Sequence, residues 1–149
     1  MASRRAFVAE ARSWCGTPFV PQASAKGVGC DCKGLLVGVA RELGMPEATS
    51  LYAAMADYDL GAVPSDLLRE GIAATLKPVE PARVKPGDVL LLRIAGKPAH
   101  LAIVTDGNLG GGRAVHAQIS STAWVKETAM RVLLAVYELD SAWRFARWR

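Results

Sequence analysis

The chain has 149 residues, 51% of them hydrophobic and 21% charged, and a formal net charge of +4. That length fits a single domain, residues 1–149, that can bury a core without disulfide or metal staples, and the composition excludes a disordered chain. The longest apolar runs, 35–40 and 132–137, are far shorter than the ~18 residues of a membrane-crossing helix, so no membrane span is expected.

In chain order, the first predicted element is a helix over residues 4–14, with Phe7, Val8, Ala11 and Trp14 on one face. Gly16, Pro18 and Pro21 end it and open a loop to Gly29. A second helix begins near Asp31 or Cys32 and ends at Gly44, a C′ glycine after Leu43, with Leu35, Leu36, Val39, Ala40 and Leu43 as its buried stripe. The run Pro64-Ser65-Asp66 reads as a helix start leading into Leu67, Leu68, Ile72 and Leu76. Pro78, Pro81 and Pro86 then punctuate a connector. Four strands follow, at Asp88–Ile94, His100–Thr105, Arg113–Ser120 and Val132–Leu139, with Gly110-Gly111-Gly112 as a flexible hairpin loop. The expected class is α+β, with N-terminal helices packed on a C-terminal antiparallel β-sheet.

The arginines gather at the ends: Arg4, Arg5 and Arg12 at one, Arg144, Arg147 and Arg149 at the other. No basic run interleaved with aromatics lies between, so nucleic acid is not an expected partner. The odd cysteine count argues against a secreted disulfide framework. Glu10 and Arg12 interrupt the apolar stretch a signal peptide would need. The expectation is a protein made on the reducing side of a membrane.

Both histidines fall in the strand half. If the hairpin closes with Thr105 opposite Arg113, His100 faces Gln118, His116 pairs with Ala102, and the histidines are diagonal neighbours on one face, roughly 7–8 Å apart at Cα. A slip of one residue separates them. Cys32 sits at a helix start behind Asp31, the expected N-cap. The positive helix terminus and a nearby imidazolium would lower its pKa, and backbone N–H groups would face a reacting carbonyl. Lys33 adds a cation about 100° round the helix. The plain readings stand beside this. Cys15 reads as a small buried apolar residue and Cys30 as structural. A metal site of Cys30, Cys32, His100 and His116 lacks common zinc spacing, so no metal is expected.

Five phrases in order resemble the NlpC-type papain-like cysteine peptidases of bacterial cell walls. They are Gly16-Thr17-Pro18-Phe19, Gly29-Cys30-Asp31-Cys32-Lys33-Gly34-Leu35, Lys85-Pro86-Gly87-Asp88-Val89-Leu90, His100-Leu101-Ala102-Ile103-Val104 and Val115-His116-Ala117. The resemblance implies Cys32 as nucleophile, His100 as base and then acid, and His116 as the residue orienting His100. It implies hydrolysis of cell-wall peptide amides through a thioester, with bacterial peptidoglycan peptides as substrate and no cofactor. Phe19 stands where the family usually has a Tyr whose hydroxyl helps the oxyanion, and Gln22 is a candidate replacement donor. Lys33 stands where the family has Ser, and Asp31 and Lys33 are substrate-binding candidates.

Residues 16–24 and 26–32 are most similar to a compact subgroup encoded among phage and gene-transfer-agent tail genes. That implies tail hub or baseplate partners, with the basic ends as docking points, and action in the periplasm of a target cell. A catalytically weakened or inactive structural tail component is the alternative. An acyltransferase on the same scaffold would need an acyl groove. Trp143, Phe145 and Trp148 read either as an assembly anchor or as a strap over the domain's own core.

Overall fold

The computed structural model describes residues 2–55, 66–118 and 123–148. Helix α1 (Arg4–Ser13) starts at Ser3, whose hydroxyl accepts from the Ala6 amide at 3.1 Å, and buries Phe7, Val8 and Ala11. After it come two short paired strands, β1 (Ser24–Ala25) and β2 (Gly29–Cys30), then α2 (Cys32–Glu42). Helix α2 ends in paired bonds, Met45 N–H to Ala40 O at 3.0 Å and Gly44 N–H to Arg41 O at 2.9 Å, with Gly44 at φ +66°. That is the turn anticipated from the glycine.

Helix α3 (Glu47–Met55) has no counterpart in the sequence reading. Helix α4 (Asp66–Ala73) follows, and the Pro64 and Ser65 of its expected start lie outside the described residues. Then come β3 (Lys77–Val79), a 3₁₀ turn over Pro81–Arg83, β4 (Val89–Ile94), β5 (Lys97–Asn108), β6 (Gly111–Ala117), β7 (Val125–Ala129), α5 (Met130–Val136) and β8 (Glu138–Arg144). Six of these strands form one antiparallel sheet in the order β3-β8-β4-β5-β6-β7. Pro78 is tolerated because β3 is an edge strand. The α+β expectation holds, and no described helix is long and apolar enough to cross a membrane.

The sheet separates two apolar layers by side-chain alternation. Val89, Leu91, Leu101, Ile103, Val115 and Val125 face α1 to α4 and pack with Phe7, Trp14, Leu35, Leu36, Leu51 and Leu68. Leu90, Leu92, Ala102, Val104 and Ala114 face the other way, onto Met130 and Leu133 of α5.

Four expectations are corrected. Residues 132–136 are helical, not a strand. Met130 and Leu133, one helical turn apart, bury against the sheet, and a short apolar run does not by itself distinguish the two states. The strand expected over 113–120 ends at Ala117, and its residues 119 and 120 lie outside the described residues. The hairpin is tight, with Asn108 paired to Gly111 and the Asn108 side chain accepting from both the Gly110 and Gly111 amides. Thr105 does not face Arg113: it bulges out, and Asp106 takes that partner.

The C-terminal aromatics form a strap on the chain's own core. Phe145 and Trp148 pack on Phe7 at ring separations of 5.2 and 5.0 Å. Three end arginines face inward as well. Arg4 and Arg144 both bind the buried Asp88 carboxylate, and Arg147 pairs with Glu47. They are therefore engaged within the fold and not presented as free docking charges.

Candidate active site

Asp31 builds the start of α2. Its Oδ1 accepts from the Gly34 amide at 2.7 Å, and its Oδ2 accepts from the Gln22 amide at 2.8 Å. One carboxylate thus caps the helix and fastens the preceding loop to it. Gly34 is required by the same contact, since a Cβ there would lie 1.9 Å from the Ala23 carbonyl oxygen. The Gly-Thr-Pro phrase anchors that loop too: the Thr17 hydroxyl accepts from the Gly27 amide at 2.9 Å, and Phe19 bridges to Cys30. Phe19 is half-buried against the core. Gln22 is exposed and, with Ser24, Asp31, Lys33 and Tyr52, lines a cavity of about 170 Å³ beside the helix start. Lys33 is buried.

Cys32 is the first residue of α2 and only 3% exposed. Its sulfur accepts from the backbone N–H of Leu101, the residue after His100 on β5. That N–H is available because regular β5–β6 pairing runs from Asn108–Gly111 to Ile103–Val115 and stops there. Ile103–Val115 and Val104–Ala114 keep the register that sets His116 beside Ala102, and among the described residues the ladder stops before that pair. The strands part, and the thiol approaches the opening from the α2 side.

Alternation places both histidines on the α5 face. Nε2 of His100 lies 3.0 Å from Nδ1 of His116, in buried surroundings. The far nitrogen of His116, Nε2, lies 3.0 Å from the Thr128 hydroxyl on β7. The phenol ring of Tyr137, at the end of α5, stacks on His100 with centroids 4.7 Å apart and planes at 27°. Nδ1 of His100 is buried and has no hydrogen-bond partner among the described residues, so it is not bonded to the thiol in this resting arrangement.

Burial governs the protonation states. It pushes the Cys32 thiol up to about 12, with the Asp31 carboxylate adding to the shift; the Leu101 and Lys33 N–H groups and the Lys33 charge oppose it only in part. The lowered thiol pKa expected from the helix terminus is thereby overturned, because desolvation outweighs the terminus. Burial likewise lowers His100 to about 3, assisted by His116, and lowers His116 to about 4, assisted by Lys126. At neutral pH the site holds a thiol and two neutral imidazoles. His100 is therefore a base with a free lone pair, provided its proton sits on Nε2.

Cys30 is fully buried, as a structural residue would be, whereas Cys15 is exposed and not the buried apolar residue expected. The Cys30, Cys32, His100 and His116 metal site does not fit, because two of its imidazole nitrogens face each other at 3.0 Å. No metal-holding group of His, Cys, Asp or Glu occurs among the described residues. Thr128 and Tyr137 were invisible to sequence reasoning. Thr128 lies on a strand the pattern did not reveal, and Tyr137 lies in the run misread as a strand.

No family model matches the sequence, and no curated protein matches it. Solved structures do. The NlpC/p60 domain of the peptidoglycan hydrolase SagA is 26% identical, with a TM-score of 0.59, covering 97% of this chain and 100% of that one. NlpC1 from Trichomonas vaginalis is 16% identical with a TM-score of 0.64, covering 95% of this chain. An NLP/P60-family lipoprotein-like protein from Staphylococcus aureus is 19% identical with a TM-score of 0.58, again over 95% of this chain. The match spans 43% and 41% of those two longer chains. The α1–α4 layer, the six-stranded sheet and the likeness along nearly the whole described length give one result: this chain has the NlpC/p60 fold.

Proposed function

We propose that the chain is a cysteine peptidase that hydrolyses amide bonds in peptidoglycan peptides through a thioester on Cys32. The observation that carries this reading is the buried, partnerless Nδ1 of His100, on a ring held through Nε2 by His116 and adjacent to the N–H that binds the Cys32 sulfur. With its proton on Nε2, His100 donates to His116 Nδ1, and His116 donates from Nε2 to the Thr128 hydroxyl. Nδ1 then accepts the thiol proton as sulfur attacks the scissile carbonyl carbon. The imidazolium returns that proton to the leaving amine, leaving an acyl thioester. His100 next deprotonates a water, whose oxygen attacks the thioester and regenerates the thiol. The backbone N–H of Cys32 is the oxyanion donor this reading calls for at the start of α2, since the Gly34 and Leu35 N–H groups are taken by Asp31. The peptidoglycan hydrolase activity in the SagA description supports the substrate class.

Sacculus zymography tests this. Clearing by the wild type and none by Cys32→Ala is the expected result; equal clearing would remove Cys32 as nucleophile. We assign the protein's setting to a phage or gene-transfer-agent tail acting in the target periplasm, on the similarity of residues 16–24 and 26–32 to that subgroup. It should then co-sediment with purified tail particles, at their hub or baseplate, and its absence from them would overturn the assignment.

Two observations favour the catalytically silent alternative. Phe19 carries no hydroxyl, and the raised Cys32 thiol makes no hydrogen bond to His100. Iodoacetamide alkylation decides between the two. A working pair makes the Cys32 rate at neutral pH fall about a hundredfold or more in His100→Ala, within the usual range for a general base. A rate indifferent to that change means an inert thiol.

A further inference from the structure

We propose that Tyr137 is a positioning residue of the His100 base, its ring forming the surface on which the imidazolium develops during thiol attack. This rests on the peptidase reading given above. The geometry carries it. His100 is wholly buried, and the ring lying against its face is Tyr137, at 4.7 Å between centroids and 27° between planes. The same ring meets His116 edge-on, at 6.2 Å and 80°. One side chain thus touches both imidazoles, and it is half-exposed, so it stands between the histidine pair and water.

The titratable groups against His100 are His116 from β6 and Tyr137 itself, and the Cys32 sulfur, held by the N–H of the next residue Leu101, is close enough to Tyr137 to act on its phenol. Burial and His116 both oppose a positive charge on His100. Taking the thiol proton creates that charge in the transition state. The electron-rich face of a phenol ring attracts a cation over it, and more strongly away from water. The neutral resting imidazole gains less from that face than the imidazolium. The contact therefore strengthens as the proton arrives, which is the property that raises kcat without changing substrate binding. The ring also fixes the imidazole plane, so Nδ1 keeps its aim.

The test separates the ring from the hydroxyl and from simple burial. Tyr137→Phe and Tyr137→Trp keep an aromatic face and should retain kcat within about threefold. Tyr137→Leu keeps an apolar cover without that face and should lose roughly tenfold in kcat, with KM within twofold. Tyr137→Met repeats the aliphatic comparison if the Leu variant does not fold. Iodoacetamide alkylation of Cys32 provides a second readout that needs no cell-wall substrate. The same ordering, aromatic above aliphatic, is expected there even if the peptidoglycan reading is wrong. Equal rates for Phe and Leu in both assays would overturn the proposal. So would a Phe variant as impaired as Leu, because the hydroxyl would then be the acting group.

Discussion

At the scale of single residues, the proposed peptidase reading makes His116, 3.0 Å from Nε2 of His100, responsible for the proton position on that ring. His116→Ala leaves Nε2 of His100 without its 3.0 Å partner, and the imidazole can then turn or carry its proton on Nδ1, where it blocks the base. The expected loss in kcat is about a hundredfold or more, with KM little changed, read from steady-state hydrolysis of a muropeptide. His116→Gln retains an acceptor and should recover part of that loss. Thr128→Val removes the hydroxyl bound to His116 Nε2 and should act in the same direction but more weakly, because it changes the orienting group and not the base. Cys32, His100 and His116 could be singled out from sequence because each sits in a phrase with strong local requirements. Asp31 must cap, Gly34 must admit the Ala23 carbonyl, and the two histidines share the strand alternation. The protonation states could not be read in the same way. Helix-terminus reasoning sees the positive end of α2, but the low dielectric created by distant strands decides the thiol pKa.

At the scale of elements, the irregular positions explain why one half of the sheet was misread. Pairing between β4 and β8 shifts between Leu91 and Leu92, which puts Asp140 in a bulge. Its carboxylate takes hydrogen bonds from Arg69 of α4 and Arg93 of β4, and the Ser141 hydroxyl adds another. Those partners, Arg69 foremost, hold Asp140 down at about 2. A carboxyl lowered on folding contributes stability above its unfolded pKa of about 4, and that contribution disappears as pH falls from there through the folded value. The network should therefore stabilise the fold at neutral pH, by less than the full shift because Arg69 and Arg93 are partly solvated, and contribute nearly nothing at pH 2. Urea melts of wild type and Asp140→Asn should differ at pH 7 and converge at acid pH. Strand β8 carries this polar bulge, so its alternation is broken and a sequence pattern of period two does not reveal it. Helix α5 fails for a different reason: a short apolar run does not separate strand from helix by periodicity, although Met130, Arg131, Leu133, Leu134 and Ala135 are good helix formers and Met130 and Leu133 bury one helical turn apart on the sheet.

At the scale of the whole molecule, two buried features set how the fold responds to pH and to mutation. Both histidine pKa values lie below the ordinary value, at about 3 and about 4, so the unfolded chain binds protons first as pH drops. Stability attributable to the pair is complete above about pH 6.5 and declines towards pH 4. The urea midpoint should fall over that window, and replacing both histidines by Gln should flatten the fall. The second feature is Asp88, fully buried, which accepts from Arg4, Arg144 and the Lys85 amide. Asp88→Asn removes the shared negative partner of two arginines and should cost about 3 kcal/mol, visible as a lowered Tm.

The Asp88 junction also determines how the polymer can be re-cut. The Arg4 guanidinium donates to the Trp148 carbonyl at 3.0 Å as well as to Asp88, and the Trp148 indole donates to the Gly87 carbonyl at 3.1 Å. Residues 4 and 148 therefore lie one side chain apart, at the opposite end of β4 from its His100 partner Leu92. A few Gly and Ser residues would close the backbone into a circle without disturbing the thiol or the imidazoles. Such a ring, having fewer unfolded conformations to lose, should melt at a higher temperature than its linear parent while hydrolysing substrate at the same rate.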